Sequence, residues 1–293
     1  MLRTVQATAS LFSSKRLSTI VVARLFTNGG LVSTDWLKGN LEDPSLRVVH
    51  AGDYHIFNAM RIPGSRHLGL ASNLKDTELP NTLVRGSVFE GAVANAGISN
   101  DNKVVVYNTT TSMTATRAWW VFKRYGLKAA VLDGGLKKWM EDGNTVENTE
   151  SPKAQPGSFK KTDNDEVYFT YEMLEDAVKD NSVHVVDART PDEYNGVRVM
   201  NARGGHVPGA LNISHGTFLD PCTDMLLSDN QLMAVARSAG LPDPKDAKKV
   251  VTYCQSGVRA TMAAFALEKI GYNVAVYDRS MLEWQNNEHA PLQ

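Results

Sequence analysis

Cysteine is scarce in this chain, which contains only Cys222 and Cys254 among its 293 residues. Two cysteines cannot form a disulfide framework, so we expect free thiols and a reducing compartment. No run of about 18 apolar residues occurs, which excludes a membrane-spanning helix, and we expect no membrane partner. The formal net charge of −1 gives no indication of a nucleic-acid partner.

Acidic residues are missing from the N-terminal segment, where the first acid is Asp35. The first 27 residues instead contain many Ser and Thr residues and four basic ones, Arg3, Lys15, Arg16 and Arg24. This composition is typical of an organellar transit peptide, so we predict that residues 1–27 direct the protein to the mitochondrial matrix. The alternative is a disordered tail. Without those four basic residues the formal net charge falls from −1 to −5, which again disfavours nucleic-acid binding.

Patterns for metals and nucleotides are also missing. No His or Cys has ligand spacing around it, so we expect no metal site, and His206 is expected to shape the turn before Val207-Pro208-Gly209. The pair Gly134-Gly135 lacks the further glycine and the context of a nucleotide-binding loop. The sequence therefore predicts neither a metal nor a cofactor.

One stretch, residues 250–267, combines a β-branched run, a cysteine loop and a segment with helical apolar spacing. The run Val250–Tyr253 is typical of a buried parallel strand. The loop that follows is Cys254-Gln255-Ser256-Gly257. A loop that leads from a strand into a helix directs backbone N–H groups at one point and favours a thiolate there. Arg259 adds positive charge, so we expect Cys254 to be a nucleophile rather than an inert buried thiol. Cys222 is expected to be an incidental thiol.

Landmarks of the first half of the chain recur in the second half at one displacement. Val207-Pro208-Gly209 follows Ile62-Pro63-Gly64 by 145 residues, and residues 276–284 follow residues 131–139 by the same number. Several landmarks in one order at a fixed displacement indicate an internal repeat. Strands alternate with helices in each half, which is typical of an α/β domain with a mainly parallel sheet flanked by helices.

The repeat predicts two homologous domains, at residues 30–147 and 163–293, joined by a polar, turn-rich linker at residues 148–162. Ligands of parallel sheets bind beyond the carboxyl ends of the strands, where Cys254 falls. The equivalent position of the first domain is Asn108, which offers no comparable nucleophile. We therefore expect the second domain to carry the chemistry and the first to shape the cleft.

The cysteine loop in its strand-to-helix setting, together with the repeat, resembles the rhodanese superfamily. The resemblance is strongest to its tandem-domain thiosulfate and 3-mercaptopyruvate sulfurtransferases, and it covers roughly residues 30–290 in the order of the motifs. These motifs are Arg117-Ala118-Trp119-Trp120, Asp133-Gly134-Gly135, Asp187-Ala188-Arg189, Gly205-His206-Val207-Pro208-Gly209-Ala210, Cys254 to Val258, Tyr277-Asp278 and Glu283-Trp284.

The resemblance implies two rhodanese-like domains and a reaction through a persulfide on Cys254. The sulfur donors would be 3-mercaptopyruvate or thiosulfate, and the acceptors a small thiol, a thioredoxin-like protein or cyanide. Arg189 would hold the anionic group of the donor, although an ion pair with a neighbouring acid is the alternative for this arginine. The remaining residues of the substrate site would be Gln255, Ser256, Gly257, Val258 and Arg259.

Two departures from the family pattern bear on the donor. Glu193-Tyr194 stands where an Arg-Phe pair is expected, so a second substrate arginine is missing and Glu193 adds a repelling charge if it faces the cleft. Arg198 and Arg203 are candidates to replace that arginine. Ser256 matches the mercaptopyruvate pattern, whereas thiosulfate enzymes often carry Lys there. We expect a modest preference for 3-mercaptopyruvate beside real thiosulfate activity, and a thiosulfate-specific enzyme is the alternative.

Two functions of other classes remain open. A cysteine phosphatase needs an arginine six residues after its nucleophile, where this chain has Ala260, and Arg259 comes one position early. A non-catalytic rhodanese-like binding module is the second alternative. The intact Cys254 loop argues against that reading for the second domain.

Overall fold

The computed structural model describes Phe26, residues 29–69, Asp76, residues 82–149 and residues 153–293. Apart from Phe26, the predicted transit segment lies outside the described residues. Phe26 is 4% exposed and packs against Trp36, with 5.8 Å between the ring centroids. It is therefore part of the core of the first domain. Of the helices that the structure describes, none is long and apolar enough to cross a membrane.

The first domain contains a five-stranded sheet in the order β1-β5-β4-β2-β3, in which every pair of neighbours is parallel. Its strands are β1 (Leu31–Val32), β2 (Leu46–His50), β3 (Arg66–His67), β4 (Lys103–Tyr107) and β5 (Lys128–Leu132). Its helices are α1 (Thr34–Asn40), α2 (Tyr54–Ala59), α3 (Gly86–Asn95), α4 (Met113–Arg124) and α5 (Gly135–Glu141). The central strand β4 is buried from its second residue onward, as expected where helices cover both faces of a sheet.

The second domain repeats this plan, with a parallel sheet in the order β6-β10-β9-β7-β8. Its strands are β6 (Tyr168–Phe169), β7 (Val183–Asp187), β8 (Leu211–Asn212), β9 (Lys249–Tyr253) and β10 (Val274–Tyr277). Its helices are α6 (Tyr171–Lys179), α7 (Pro191–Tyr194), α8 (Asp229–Ser238), α9 (Val258–Lys269) and α10 (Ser280–Trp284), with short 3₁₀ segments at Asp165–Val167 and His215–Phe218. The predicted fold of two homologous α/β domains is confirmed.

The two Pro-Gly turns recur because each is held by a tyrosine at the end of the central strand. The Tyr107 hydroxyl accepts the N–H of Ile62 at 3.1 Å, and the Tyr253 hydroxyl accepts the N–H of Val207 at 3.1 Å. Both tyrosines are fully buried, so these hydrogen bonds satisfy polar groups that have no access to water. The regular displacement in the sequence thus reflects one packing arrangement used twice.

Helices α4 and α9 join the two domains. The hydroxyls of Thr116 and Thr261, which are equivalent residues of the repeat, lie 3.2 Å apart in the middle of this contact. Trp119 meets Phe265 edge to face, with 5.0 Å between the ring centroids. A single cluster of buried apolar residues includes members of both domains, Cys254 among them. The first domain is therefore packed directly behind the helix that follows the cysteine loop.

The described part of the predicted linker, residues 148–162, is held against the first domain. The N–H of Gly157 donates to the carbonyl of Ala94 at 2.8 Å. Phe159 is buried and packs against Phe89, with 5.7 Å between the ring centroids. The part of the linker around Gly157 and Phe159 therefore packs against the first domain.

Candidate active site

Cys254 lies directly after β9, at the carboxyl edge of the second sheet. Strand β9 ends at Tyr253 and helix α9 begins at Val258, so the loop Cys254–Gly257 turns from strand into helix as the sequence predicts. Both cysteines are free, and they differ in their surroundings: Cys222 is exposed, whereas Cys254 is 1% exposed. The first-turn N–H groups of α9, which have no partner within the helix, lie at the end of this loop.

The end of the loop needs a glycine. Gly257 is the N-cap of α9 and has a φ of +79°, in the left-handed region. A Cβ atom at this position would lie 2.3 Å from the carbonyl oxygen of Asp278. Any side chain would therefore push the loop away from the turn that follows β10.

That turn holds both ends of the loop. The N–H of Cys254 donates to the Ser280 hydroxyl at 3.1 Å, and this hydroxyl donates to the carbonyl of Tyr277 at 2.8 Å. The N–H of Met281 donates to the Cys254 carbonyl at 3.1 Å, and the N–H of Leu282 donates to the Gln255 carbonyl at 2.8 Å. Ser280 has a φ of +52°, a conformation that L-residues adopt rarely and that often marks a functional site.

The first domain has the same backbone arrangement without the cysteine. The N–H of Leu136 donates to the Asn108 carbonyl at 2.8 Å, and the N–H of Lys137 donates to the Thr109 carbonyl at 2.8 Å. Asn108 therefore occupies the backbone position of Cys254, as the alignment of the repeat predicts. Its side-chain amide donates to the Ser112 hydroxyl at 3.2 Å.

Arg259, on the first turn of α9, forms a two-pronged ion pair with Glu193. Its Nη1 and Nη2 atoms donate to the two carboxylate oxygens at 2.7 and 2.8 Å. The Arg259 guanidinium holds the pKa of Glu193 at about 2, against the opposing effect of burial. Burial lowers the pKa of Arg259, but the Glu193 carboxylate and, after it, Cys254 raise this pKa by more than burial lowers it, so Arg259 stays a cation.

From the sequence, Glu193 is expected to repel anions if it faces the cleft. In the structure its side chain is 3% exposed and forms an ion pair with Arg259, which neutralises its charge. The sequence does contain a local signal for the position of Glu193. Thr190 and Glu193 form a capping box at the start of α7, where Pro191 is the first helical residue. The Thr190 hydroxyl donates to the Glu193 carboxylate at 2.9 Å, which fixes the side chain that receives Arg259.

Arg189 follows β7, next to β9, and is fully buried. Its Nε and Nη2 atoms donate to Asp187 at 3.0 and 2.7 Å, and Nη2 also donates to the Gly205 carbonyl at 2.8 Å. The ion pair considered as the alternative for this arginine is thus present. Its Nη1 atom is buried and has no hydrogen-bond partner among the described residues.

Of the two candidates for a second substrate arginine, Arg203 is committed elsewhere. Its guanidinium donates to the backbone carbonyls of Trp284 and Gln285 at 3.2 Å each and to that of Ala290 at 2.9 Å. The first two carbonyls lie at the end of α10, and Ala290 lies in the segment that follows it. Arg198 is exposed, in the segment that follows α7.

The remaining loop side chains, Gln255, Ser256 and Val258, are partly buried. The amide of Gln255 is distinctive, since both its oxygen and its nitrogen are buried and have no hydrogen-bond partner among the described residues. Gln255, next to Cys254 in the loop, and Arg189, which follows the strand that pairs with β9, therefore both have polar atoms without a hydrogen-bond partner among the described residues. Within the described part of the chain, no group of three or more His, Cys, Asp and Glu side chains is arranged to hold a metal ion.

Known proteins resemble this chain over nearly its whole length. It is 32% identical to the sulfur carrier protein TtuD of Thermus thermophilus, over 89% of this chain and 95% of that protein. It is 26% identical to thiosulfate/3-mercaptopyruvate sulfurtransferase 1, mitochondrial, of Arabidopsis thaliana, over 91% of this chain and 79% of that protein. The crystal structure of SseA from Escherichia coli, a 3-mercaptopyruvate sulfotransferase, matches with a TM-score of 0.77 at 27% identity, over 85% of this chain and 98% of that one.

The sequence pattern of the Rhodanese-like domain matches twice, at residues 33–142 and 170–287. The first match contains strands β2 to β5 and the second contains strands β7 to β10, so each covers its sheet except the edge strand β1 or β6. The second match also contains the cysteine loop. The recurrence of the strand order and of the turn contacts agrees with two copies of one domain. The chain therefore belongs to the rhodanese-like family, with two copies of the rhodanese-like domain.

Proposed function

We propose that this protein is a sulfurtransferase that moves a sulfur atom from 3-mercaptopyruvate or thiosulfate to a thiol or cyanide through a persulfide on Cys254. The observation that carries the proposal is Cys254 at the amino end of α9, with its own N–H fixed by Ser280 and the Arg259 cation on the first turn of that helix. The names of its relatives, a sulfur carrier and sulfurtransferases for these two donors, support the same reaction.

In the first half-reaction, the Cys254 thiolate attacks the terminal sulfur of the donor. With thiosulfate, the new S–S bond forms as the old one breaks, and sulfite leaves with the electron pair. With 3-mercaptopyruvate, the C–S bond breaks, and pyruvate leaves as its enolate, which takes up the proton of the donor thiol. The Arg259 cation and the N–H groups at the start of α9 stabilise the negative charge of both thiolate and persulfide.

In the second half-reaction, an acceptor attacks the outer sulfur of the persulfide. Cyanide leaves as thiocyanate, a thiolate leaves as a persulfide, and in both cases Cys254 is restored as a thiolate. Cys254 is 1% exposed, so a bulky acceptor does not reach its sulfur directly. The outer persulfide sulfur lies about 2 Å further from the chain, which brings the transferred atom closer to the acceptor.

Two unused polar groups are suited to hold the donor. The Nη1 atom of Arg189 would donate to the carboxylate of 3-mercaptopyruvate or to a thiosulfate oxygen, and the Gln255 amide would bind a neighbouring oxygen. Buried polar atoms without partners cost free energy until a ligand satisfies them. Gly257, Val258 and Ser256 complete the wall of the site in this proposal.

The charge balance supports a modest preference for 3-mercaptopyruvate. Asp187 neutralises Arg189 and Glu193 neutralises Arg259, so little net positive charge remains for an incoming anion. Thiosulfate brings two negative charges, whereas 3-mercaptopyruvate brings one carboxylate. Ser256 adds a neutral hydroxyl to the loop rather than a cation, which acts in the same direction.

We also propose a mitochondrial matrix location directed by the N-terminal segment. The basic, acid-free composition of residues 1–27 supports it, as does the mitochondrial relative from Arabidopsis. Phe26 belongs to the core of the first domain, so the removable part of this segment would end before Phe26.

Steady-state kinetics test the proposed reaction. Purified protein is mixed with cyanide and either donor, and thiocyanate is measured; we expect formation with both donors and a higher kcat/KM for 3-mercaptopyruvate. No thiocyanate with either donor, together with no sulfur on the protein that cyanide removes, would favour the non-catalytic binding module. Hydrolysis of an aryl phosphate in place of sulfur transfer would favour the phosphatase.

A further inference from the structure

A buried arginine of the first domain reaches the cysteine loop of the second domain. Arg117, on α4, is fully buried, and its Nη1 atom forms an ion pair with Asp278. The same nitrogen donates to the carbonyl of Gly257 at 3.5 Å. Gly257 is the third residue after Cys254, so one guanidinium nitrogen contacts both the end of the loop and the turn that holds it.

Asp278, the ion-pair partner of Arg117, lies in the same turn as the residue that binds the N–H of Cys254. It stands two residues before Ser280, whose hydroxyl accepts the N–H of Cys254 at 3.1 Å. Its second carboxylate oxygen accepts the N–H of Leu83, in the first domain, at 2.6 Å. The position of the turn therefore depends on two first-domain groups, one charged and one from the backbone.

Gly257 packs tightly against Asp278 and Arg117. A Cβ atom built there would lie 2.3 Å from the Asp278 carbonyl oxygen and 3.1 Å from Nη1 of Arg117. The backbone of the loop thus rests directly on the ion pair. If the Arg117 guanidinium moves, the loop moves with it, because close-packed interiors transmit such displacements.

The repeat shows that this arginine is not simply part of the shared fold. The residue of α9 equivalent to Arg117 is Met262, which is fully buried. The residue equivalent to Asp278 is Asp133, which accepts the Thr111 hydroxyl and the N–H of Leu226, each at 3.1 Å. Both domains keep the acid, but among the residues that the structure describes only the loop with the cysteine contacts an arginine from the other domain.

We propose that Arg117 is a positioning residue for sulfur transfer: it fixes Gly257 and the turn at Asp278 so that the N–H groups of the loop point at the sulfur of Cys254. The first domain, which lacks a nucleophile, would then take part in the reaction through this contact. The inference rests on the proposed function for its role in sulfur transfer, but the geometry of the loop is testable without a donor.

The test uses a double variant, Arg117→Met with Asp278→Asn. Changing both partners avoids an unpaired buried charge, and the asparagine oxygen still accepts the N–H of Leu83. The control is Lys123→Met. Lys123 pairs with Glu268 at 2.5 Å across the same α4–α9 contact, but at the end of α9 that lies far from the loop.

Two rates are measured for each folded variant. One is single-turnover formation of the Cys254 persulfide, and the other is alkylation of Cys254 by iodoacetamide as a function of pH. We expect persulfide formation to slow by about 10- to 100-fold in the double variant, as small misplacements of reacting groups do, with a higher pH midpoint for alkylation. Lys123→Met should keep both values even if its Tm falls.

The charged groups that surround Cys254 or act on it through Arg259 stay unchanged in every variant: Arg259, Glu193, Asp187, Arg189 and His215. A changed midpoint therefore reports the replaced pair and the loop that it holds. Wild-type rates and a wild-type midpoint in the double variant would overturn the proposal. A wild-type protein that alkylates normally but gains no sulfur from either donor would instead overturn the proposed function.

If the double variant does not fold, Arg117→Lys takes its place. Lysine keeps a charge opposite Asp278 but loses the planar geometry that lets arginine contact two acceptors. We expect an intermediate loss of persulfide formation and an intermediate midpoint. Wild-type values for both would count against Arg117 as a positioning residue.

Discussion

Replacing Glu193 by glutamine should alter both the stability of the protein and its choice of donor. The substitution keeps the shape of the side chain and an acceptor for the N–H of Thr190, but it removes the charge that Arg259 binds at 2.7 and 2.8 Å. Because Glu193 is 3% exposed, water cannot replace this partner.

The size of the stability effect follows from the pKa. The pKa of Glu193 lies at about 2 instead of 4.5, which at about 1.4 kcal/mol per pKa unit corresponds to roughly 3 kcal/mol of stability at pH 7. Because the pKa of Glu193 is lower in the folded state, this stabilisation is fully present above the unfolded-state pKa of 4.5 and is lost as the pH falls through the folded-state pKa of about 2. At pH 3 the contribution should be down to about 1.4 kcal/mol.

Urea unfolding of wild type and Glu193→Gln at several pH values measures this contribution. We expect the difference in unfolding free energy to narrow as the pH falls from 7 towards 3. Glu175→Gln is the control, because its partner Lys179 is exposed and such surface pairs contribute about 0.5 kcal/mol.

Donor kinetics of the same variant test the charge argument. With Glu193 neutral, Arg259 offers its charge to an incoming anion, so the kcat/KM ratio should move towards thiosulfate relative to 3-mercaptopyruvate. A stability difference that does not change with pH, or an unchanged donor ratio, would refute the account of this pair.

Two further changes test the loop and the N-terminal segment. Ser256→Lys should shift the kcat/KM ratio towards thiosulfate, about tenfold for each 1.4 kcal/mol of added binding, and an unchanged ratio would show that this position does not select the donor. Residues 1–25 fused to a fluorescent reporter should enter mitochondria, and a diffuse cytosolic signal would contradict the proposed location. Phe26→Ala should lower the unfolding free energy by about 3 kcal/mol, whereas Met140→Ala, at an exposed site of the same domain, should change it by no more than about 0.5 kcal/mol.

Much of the fold could be predicted because its signals are local or periodic. The β-branched run before Cys254 and the glycine after it indicate a strand, a turn and a helix without knowledge of any distant residue. The repeated Pro-Gly turns indicate two copies of one domain, and the hydrogen bonds of Tyr107 and Tyr253 explain their spacing. Asn108 aligns with Cys254 because each follows the tyrosine that ends the central strand, Tyr107 or Tyr253, and the hydrogen bonds to the Asn108 and Cys254 carbonyls agree with this alignment.

The electrostatics of the site could not be predicted in the same way. Glu193 and Arg259 are 66 residues apart in the chain, and Arg117 and Asp278 are 161 residues apart in different domains. Their pairing depends on how sheets and helices pack, so no spacing rule indicates it. A glutamate at position 193, where an arginine is expected, suggests repulsion of an anionic donor. Its ion pair with Arg259 shows instead that its charge neutralises a cation of the protein.

The identity of the nucleophile is the central claim, and intact mass spectrometry tests it most directly. Three proteins are incubated separately with 3-mercaptopyruvate and with thiosulfate: wild type, Cys254→Ser and Cys222→Ser. Their intact masses are then measured in the absence of a reducing agent. We expect wild type and Cys222→Ser to gain the mass of one sulfur atom and to lose it again on addition of cyanide, while Cys254→Ser gains none. The assignment of Cys254 as the sulfur-carrying residue would be contradicted if Cys254→Ser still gained a sulfur atom. It would also be contradicted if Cys222→Ser were the only one of the three proteins that gained none.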